Sequence, residues 1–307
     1  MWLFFTLTTT LLWGAAELFY KKGSRDNEKY SHLKVCVLVG LVMGAHAIFT
    51  LLTQDTGFQA IHIIEYLPVS LCYIVSMALS FFGIRFIEES ISDPIENTSG
   101  AICSVLCMLF LSAKDPDYTI SIFAWIAIGV ILVGILGVGF LEKKDTRRAK
   151  KYGKKLAIIA FMMPFGYAVI DAIGSFLDVY YLDVELTQLS SVTKENIETV
   201  ANTSYELTFA LVAVVLFIFM KIKKVKFEMP KQKDKILAAV CETAGQFTYV
   251  YAMSDNGAIA APIISSVCVV SLLLSRIFLK EKLSAKQYLF IFIILIGILA
   301  LAVIEGE

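Results

Sequence analysis

Charge is scarce in this chain. Asp, Glu, Lys and Arg make up 18% of its 307 residues and fall in short clusters. A soluble chain of this length needs far more polar covering. With 58% hydrophobic residues and a mean hydropathy of +0.74, the chain reads as an all-α, polytopic integral membrane protein. It also lacks a net charge, 27 Lys and Arg facing 27 Asp and Glu, so nothing points to nucleic acid. No Walker motif, nucleophile elbow or metalloprotease helix is present, which excludes ATP hydrolysis within the chain and gives no ground for an enzyme or a bound cofactor. All six cysteines (Cys36, Cys72, Cys103, Cys107, Cys241, Cys268) fall in apolar runs, so no disulfide framework is implied. Cys103 and Cys107 share a helix face without nearby His, which gives no metal site. Residues 1–20 lack a basic leader, and Lys21-Lys22 follow the apolar run. This is the reverse of a secretory signal and predicts a retained span with a translocated N-terminus.

What the chain has in abundance is apolar runs of bilayer length, about 20 residues each. They fall at 2–20, 35–53, 62–86, 90–112, 118–141, 155–180, 202–221, 235–254, 257–279 and 284–304, predicting ten helices. Arg85, Glu88 and Glu89 divide the third from the fourth, and Asp93-Pro94 starts the fourth. A tight polar turn, Ser254-Asp255-Asn256-Gly257, joins the eighth to the ninth. The connections after helices 1, 3, 5, 7 and 9 hold 25 of the 27 Lys and Arg, leaving Lys114 and Lys194 opposite. The positive-inside rule then makes those connections cytoplasmic, with both termini outside a cell (plasma) membrane.

The two halves resemble each other. Residues 93–141 and 261–304 each read as Pro, small residues, an apolar run, a charged turn and a last helix with Gly in an Ile/Leu field. Pro94 aligns with Pro262, Gly134 with Gly297, and Trp13-Gly14 with Phe165-Gly166. Five helices per copy is odd, so the second copy inserts upside down, a transporter signature with the substrate site at the midplane. The expected organisation is a first repeat at 1–143, a basic cytoplasmic linker at 144–154, and an inverted second repeat at 155–307.

Some residues carry a more specific likeness: Leu12-Trp13-Gly14, Met77-Ala78-Leu79, Ala261-Pro262-Ile263, and Phe278 through Leu283 with Gln287 and Gly297 downstream. In these the chain resembles a ten-helix member of the drug/metabolite transporter superfamily, in its EamA-like branch. The resemblance implies a central cavity walled by helices 1, 3, 4, 6, 8 and 9, with 5 and 10 peripheral. Helix 4 departs from the pattern, since Asp93 and Glu96 stand where the family places small or apolar residues.

The informative side chains are acids inside apolar runs. A carboxylate in hydrocarbon costs roughly 2.5–3.5 kcal/mol on insertion scales, so it turns toward a partner, water or ligand. Helical rise puts Glu17 about 22 Å below the outer end of its helix and Glu96 and Glu242 about 10 Å above the inner ends of theirs. Asp171 lies in the outer third of helix 6, and Glu206 one turn into helix 7. These acids have no Lys or Arg inside the runs to pair with. For Glu206, which follows Asn202-Thr203-Ser204, a helix N-terminal role competes, as it does for Asp93 and Glu96. Trp13, Tyr73, Tyr167, Gln246 and Tyr249 accompany the acids, and an acid beside a ring suits an organic cation; aromatic stripes also serve as packing or interfacial belts. His46 and His62 are candidate proton carriers, or histidines bonded within the bundle. Gly129, Gly134, Gly137 and Gly139 read as close helix packing. Residues 181–201 form the longest outer connection, a surface helix on the membrane edge or an outer lid.

These residues predict a secondary active transporter of a small polar metabolite, best an organic cation or zwitterion such as a choline-like or polyamine-like amine. It would be driven by protons or exchange and work as monomer or homodimer. Trp13, Glu17, Tyr73, Tyr167, Asp171, Glu242, Gln246 and Tyr249 are the candidate substrate-binding residues; Glu96, Glu206 and His46 are the proton-coupling or gate candidates. A neutral amino-acid or metabolite exporter, a Mg²⁺ permease and a non-transporting scaffold stay as alternatives.

Overall fold

A computed structural model of the chain describes residues 1–23, 30–83, 92, 95–114, 118–141, 154–280 and 283–304. Asp93 and Pro94, Arg85, Glu88 and Glu89, linker residues 144–153, Glu281 and Lys282 lie outside the described residues. The described secondary structure is helical, with no strand. The helices are α1 (Trp2–Gly23), α2 (Ser31–Thr53), α3 (Ile61–Glu65), α4 (Leu67–Gly83), α5 (Ser99–Phe110), α6 (Ile122–Leu141), α7 (Lys154–Leu182), α8 (Ile197–Ile222), α9 (Lys233–Ile264), α10 (Val267–Phe278) and α11 (Ala285–Ile304). A 3₁₀ turn, Met229–Gln232, leads into α9.

Five helices are long and apolar enough to cross a membrane, or up to six if the bent pair α9–α10 is one span; α4, α5 and α6 supply shorter apolar segments. Their outer surfaces are hydrocarbon: Phe4, Leu52, Val215 and Leu299 are exposed, Leu52 at 81%. Water does not tolerate such a continuous belt, and lipid does.

Breaks fall where the backbone chemistry demands them. The expected third helix is two pieces, α3 and α4, parted at Tyr66, with Pro68 in the first turn of α4, where its missing N–H is not needed. The polar turn at 254–257 is a single non-helical residue, Asn256 (φ −155°, ψ 63°), inside α9. The chain reverses there. An added Cβ at Gly245 would strike Trp13, and one at Gly14 would strike Val270, so neighbouring positions of α1 touch the chain on both sides of Asn256. Before that break α9 runs antiparallel to α1, with Met1 beside Asp255, Phe5 stacked on Tyr251 and Thr9 bonded to Thr248.

The other main pairings are α2 with α8, α6 with α11, and α7 with α4 and α5. The α6–α11 seam is reciprocal. A Cβ added at Gly134 would meet Ile294 Cγ1 at 2.3 Å, and one at Gly297 would meet Ile131 Cγ1 at 2.6 Å. Each glycine admits the other helix's isoleucine. Gly137 admits Phe290 likewise, but Gly129 meets nothing within 4 Å, so its expected packing role is corrected.

Two further expectations are corrected. Helix 7 begins at Ile197 rather than 202, so Asn202-Thr203-Ser204 lie within the helix and form no cap. The outer connection is not a surface helix: residues 183–196 run in turns and 197–201 are the first turns of α8. Its apolar residues pack inward, Leu189 at 5% exposure. Short polar contacts fasten it down, as Ser190 N–H donates to Glu65 at 2.9 Å and Asn196 Nδ2 donates to Thr56 O at 3.2 Å. His62 Nδ1 accepts from Gln59 N–H at 3.0 Å, which leaves Nε2 to donate to Ser190 O at 2.9 Å. His62 is thus a histidine bonded within the bundle.

Candidate functional site

Three helices present polar stripes to one another because each repeats polar residues at three- and four-residue steps. On α1 the stripe is Trp13, Glu17 and Tyr20; on α9 it is Glu242, Gln246 and Tyr249; on α7 it is Tyr167, Asp171, Ser175 and Asp178. Tyr73 and Ser76 of α4 close the fourth side.

The α1–α9 seam brings Trp13 and Glu242 together. The Trp13 indole packs against Tyr249, with ring centroids 5.0 Å apart and planes tilted by 30°, and its N–H donates to the Glu242 carbonyl at 3.3 Å. Gly245 makes room for the indole. Tyr20 OH donates to Glu242 Oε2 at 3.4 Å. Trp13, Glu17, Tyr20 and Glu242 are all half-buried, and Gln246 is 4% exposed.

On the other side, Ser76 Oγ donates to Asp171 Oδ1 at 3.4 Å, and the Ser99 and Tyr167 hydroxyls face the same carboxylate. The Tyr167 phenol lies within electrostatic reach of Asp171, Glu96, Glu242 and Glu17, and Glu242 within reach of Asp171. The acids of the two seams therefore share one region rather than facing lipid separately. Among the described residues Asp171 and Glu242 bond to hydroxyls, with no Lys or Arg beside them.

The centre of the group is a tyrosine network. Tyr73 OH and Tyr249 OH are 2.7 Å apart, and Tyr249 OH donates to Ser175 Oγ at 3.1 Å. Tyr73 OH also reaches Asp178 Oδ2 at 3.3 Å, and Tyr66 OH bonds Asp178 Oδ1. Asp178 is wholly buried. Sequence reasoning missed Asp178, Ser175 and Tyr66. The signal was present for two of them: Asp178 is i+7 and Ser175 i+4 from Asp171, on a stripe already marked by Tyr167.

The gate candidates separate. Glu206 is fully buried and pairs with His46, Nδ1 lying 2.8 Å from Oε1, across the α2–α8 seam. The expectation of a helix-terminal Glu206 is corrected, because α8 starts nine residues earlier; its partner is the imidazole of α2 and no Lys or Arg. Glu96, 8% exposed, lies ahead of α5 and accepts from Ser80 Oγ at 2.8 Å and Ser92 Oγ at 2.5 Å. Its carboxylate is thus held by serine hydroxyls. Among the described residues no three His, Cys, Asp or Glu side chains come together to hold a metal ion.

Residues 186–303 match the EamA-like transporter family. No curated protein matches the sequence. A solved structure titled only as the crystal structure of a protein superposes with a TM-score of 0.72 at 12% identity, covering 99% of this chain and 96% of that one; this likeness shows a shared fold. The chain is thus an α-helical, multi-pass membrane protein, and its residues 186–303 match the EamA-like transporter family.

Proposed function

We propose that this protein is a secondary active transporter of a small organic cation or zwitterion, bound between α1, α4, α7 and α9. The observation that carries the reading is the placement of Asp171 and Glu242, each bonded to a hydroxyl, on stripes of α7 and α9 that the Tyr249–Ser175 bond brings together. Desolvated carboxylates attract a cation strongly, and Trp13, Tyr167 and Tyr249 add ring faces that suit an ammonium group. The family match at 186–303 supports transport of small metabolites.

The arrangement we infer is ten helices in two inverted halves. The pairings support it. If α1 corresponds to α7 and α4 to the first part of α9, the α1–α9 seam exchanges with α7–α4, and α1–α10 with α7–α5. The seams α2–α8 and α6–α11 map onto themselves, and Gly134–Ile294 with Gly297–Ile131 repeats that symmetry at atomic level. The Lys and Arg distribution supports cytoplasmic basic loops in a plasma membrane.

The test is binding and uptake of choline and putrescine by the reconstituted chain. Losing a charge-assisted contact costs roughly 1.5–3 kcal/mol, so Asp171→Asn and Glu242→Gln should each weaken amine binding about 10- to 100-fold. Uptake unchanged in both variants from about pH 5 to about pH 8 ends the assignment.

A further inference from the structure

Asp178 is the one acid of this group that is sealed completely, at 0% exposure. It sits two turns beyond Asp171 on the same face of α7, about 10 Å along the axis. We propose that Asp178 is the proton-binding site of the transporter, separate from the acids that meet the substrate, and that the hydroxyls of Tyr73, Tyr249 and Ser175, the last one helical turn from Asp171 on α7, lead the proton to it. This rests on the transporter reading above and adds the coupling ion and its seat.

Three observations converge. Both carboxyl oxygens face phenols, Tyr66 on Oδ1 and Tyr73 on Oδ2. Among the described residues the titratable groups around Asp178 are Tyr66 just ahead of α4, Tyr73 within α4, Asp171 and Tyr181 on α7, Tyr205 on α8, Tyr249 on α9 and Cys103 on α5. None of them is a Lys, Arg or His, so charge on Asp178 is met by hydroxyls and by the proton itself. Finally, Tyr73, Tyr249 and Ser175 form an unbroken chain with oxygen separations of 2.7 and 3.1 Å.

Such a chain can point either way. Delivery of a proton needs the Tyr249–Ser175 bond turned round from the direction seen in the structure: with Asp178 ionised, Tyr73 donates to Oδ2 and accepts from Tyr249, which then accepts from Ser175. A proton arriving from water at the Ser175 end is taken up by that oxygen. Ser175 then passes its own hydrogen to Tyr249, Tyr249 to Tyr73, and Tyr73 to Oδ2. Each hydroxyl gives and receives one hydrogen, and only Asp178 gains one. The new O–H now donates where the carboxylate accepted, so a phenol that was a donor to an anion loses that acceptor. Tyr66 and Tyr73 belong to the first half of the chain and Asp178 to the second, so proton binding alters the tie between halves. A device that couples a proton to rearrangement needs that differential contact.

The experiment uses the full chain in proteoliposomes. Infrared difference spectra between about pH 5 and about pH 9 should show a protonated-carboxyl stretch that Asp178→Asn removes. Tyr66→Phe, which keeps the carboxyl group and deletes one donor, should displace its midpoint by about one pH unit or more. With putrescine as probe, Asp178→Asn should lose uptake driven by a pH gradient, at least tenfold, while retaining counterflow exchange. The proposal is overturned if no carboxyl stretch titrates, if the stretch persists in Asp178→Asn, or if that variant keeps gradient-driven uptake. Should putrescine not be carried at all, the amine reading fails and the infrared bands still decide Asp178. Should Asp178→Asn not fold, the Tyr66→Phe midpoint decides, and an unmoved midpoint overturns the proposal.

Discussion

Replacing Gly245 with alanine tests whether the Trp13–Glu242 seam is as tight as the geometry says. The new Cβ would stand 2.4 Å from Trp13 Cδ1 and 2.6 Å from Nε1. Ordinary carbon contact is about 3.5–4.0 Å, so the indole or the helix must yield by roughly 1 Å. The indole is not the loose end of a flexible chain. It is held by Tyr249 at a 5.0 Å centroid distance and by its N–H bond to the Glu242 carbonyl. Overpacking of this kind costs about 1–3 kcal/mol. Gly129→Ala is the matched control, since a Cβ there meets nothing within 4 Å and a helical alanine is favoured over glycine by up to about 1 kcal/mol. The assay uses the thiols of Cys36, Cys103, Cys107 and Cys268, which are buried and in no disulfide, so a thiol-reactive fluorophore reports their exposure on heating. At about 2–4 °C per kcal/mol, Gly245→Ala should melt roughly 3–10 °C lower, with Gly129→Ala unchanged or higher. Amine binding should weaken in Gly245→Ala as well. Equal melting of the two variants would refute the packing of α1 on α9 as described.

Other outcomes follow from the remaining seams. Gly134→Ala should destabilise, and Ile294→Ala in the same chain should restore part of the loss, with a coupling of about 0.5–3 kcal/mol in a double-mutant cycle; Gly297→Ala should be restored less by Ile131→Ala, because the Ala127 carbonyl also stands 3.1 Å from the added Cβ. His46→Leu should destabilise by about 3 kcal/mol, near the low end for a broken buried pair since His46 is 32% exposed, and His46→Leu with Glu206→Leu should melt higher than His46→Leu alone. Glu65→Ala removes both acceptors of Ser190, so amide exchange across 183–196 should quicken by about fivefold, about 1 kcal/mol of local opening, while α8 stays protected.

The sequence by itself determined the solvent of this protein. Hydrocarbon accepts only helices and closed barrels, whose backbone bonds are internal, and apolar runs of about 20 residues separated by charged clusters suit the helix and not the shorter, alternating strand of a barrel. It also determined which faces are polar, because helical spacing puts Trp13 with Glu17, Tyr167 with Asp171, and Glu242 with Gln246 and Tyr249 whatever the tertiary arrangement. The reversal at Asn256 and the aligned glycines 134 and 297 were legible for the same local reasons. What spacing could not give is which stripes meet. Asp178 carries the same stripe signal as Asp171, yet only the approach of Tyr66, at the break before α4, and of Tyr73 within α4 makes it the sealed acid of the group. Glu206 looked like a cap residue because Asn202-Thr203-Ser204 precede it; only the extension of α8 back to Ile197 and the approach of α2 gave it His46 as a partner. Helical periodicity fixes direction around one axis, whereas pairing of charges and hydroxyls depends on distances between axes, and those exist only once the helices have packed.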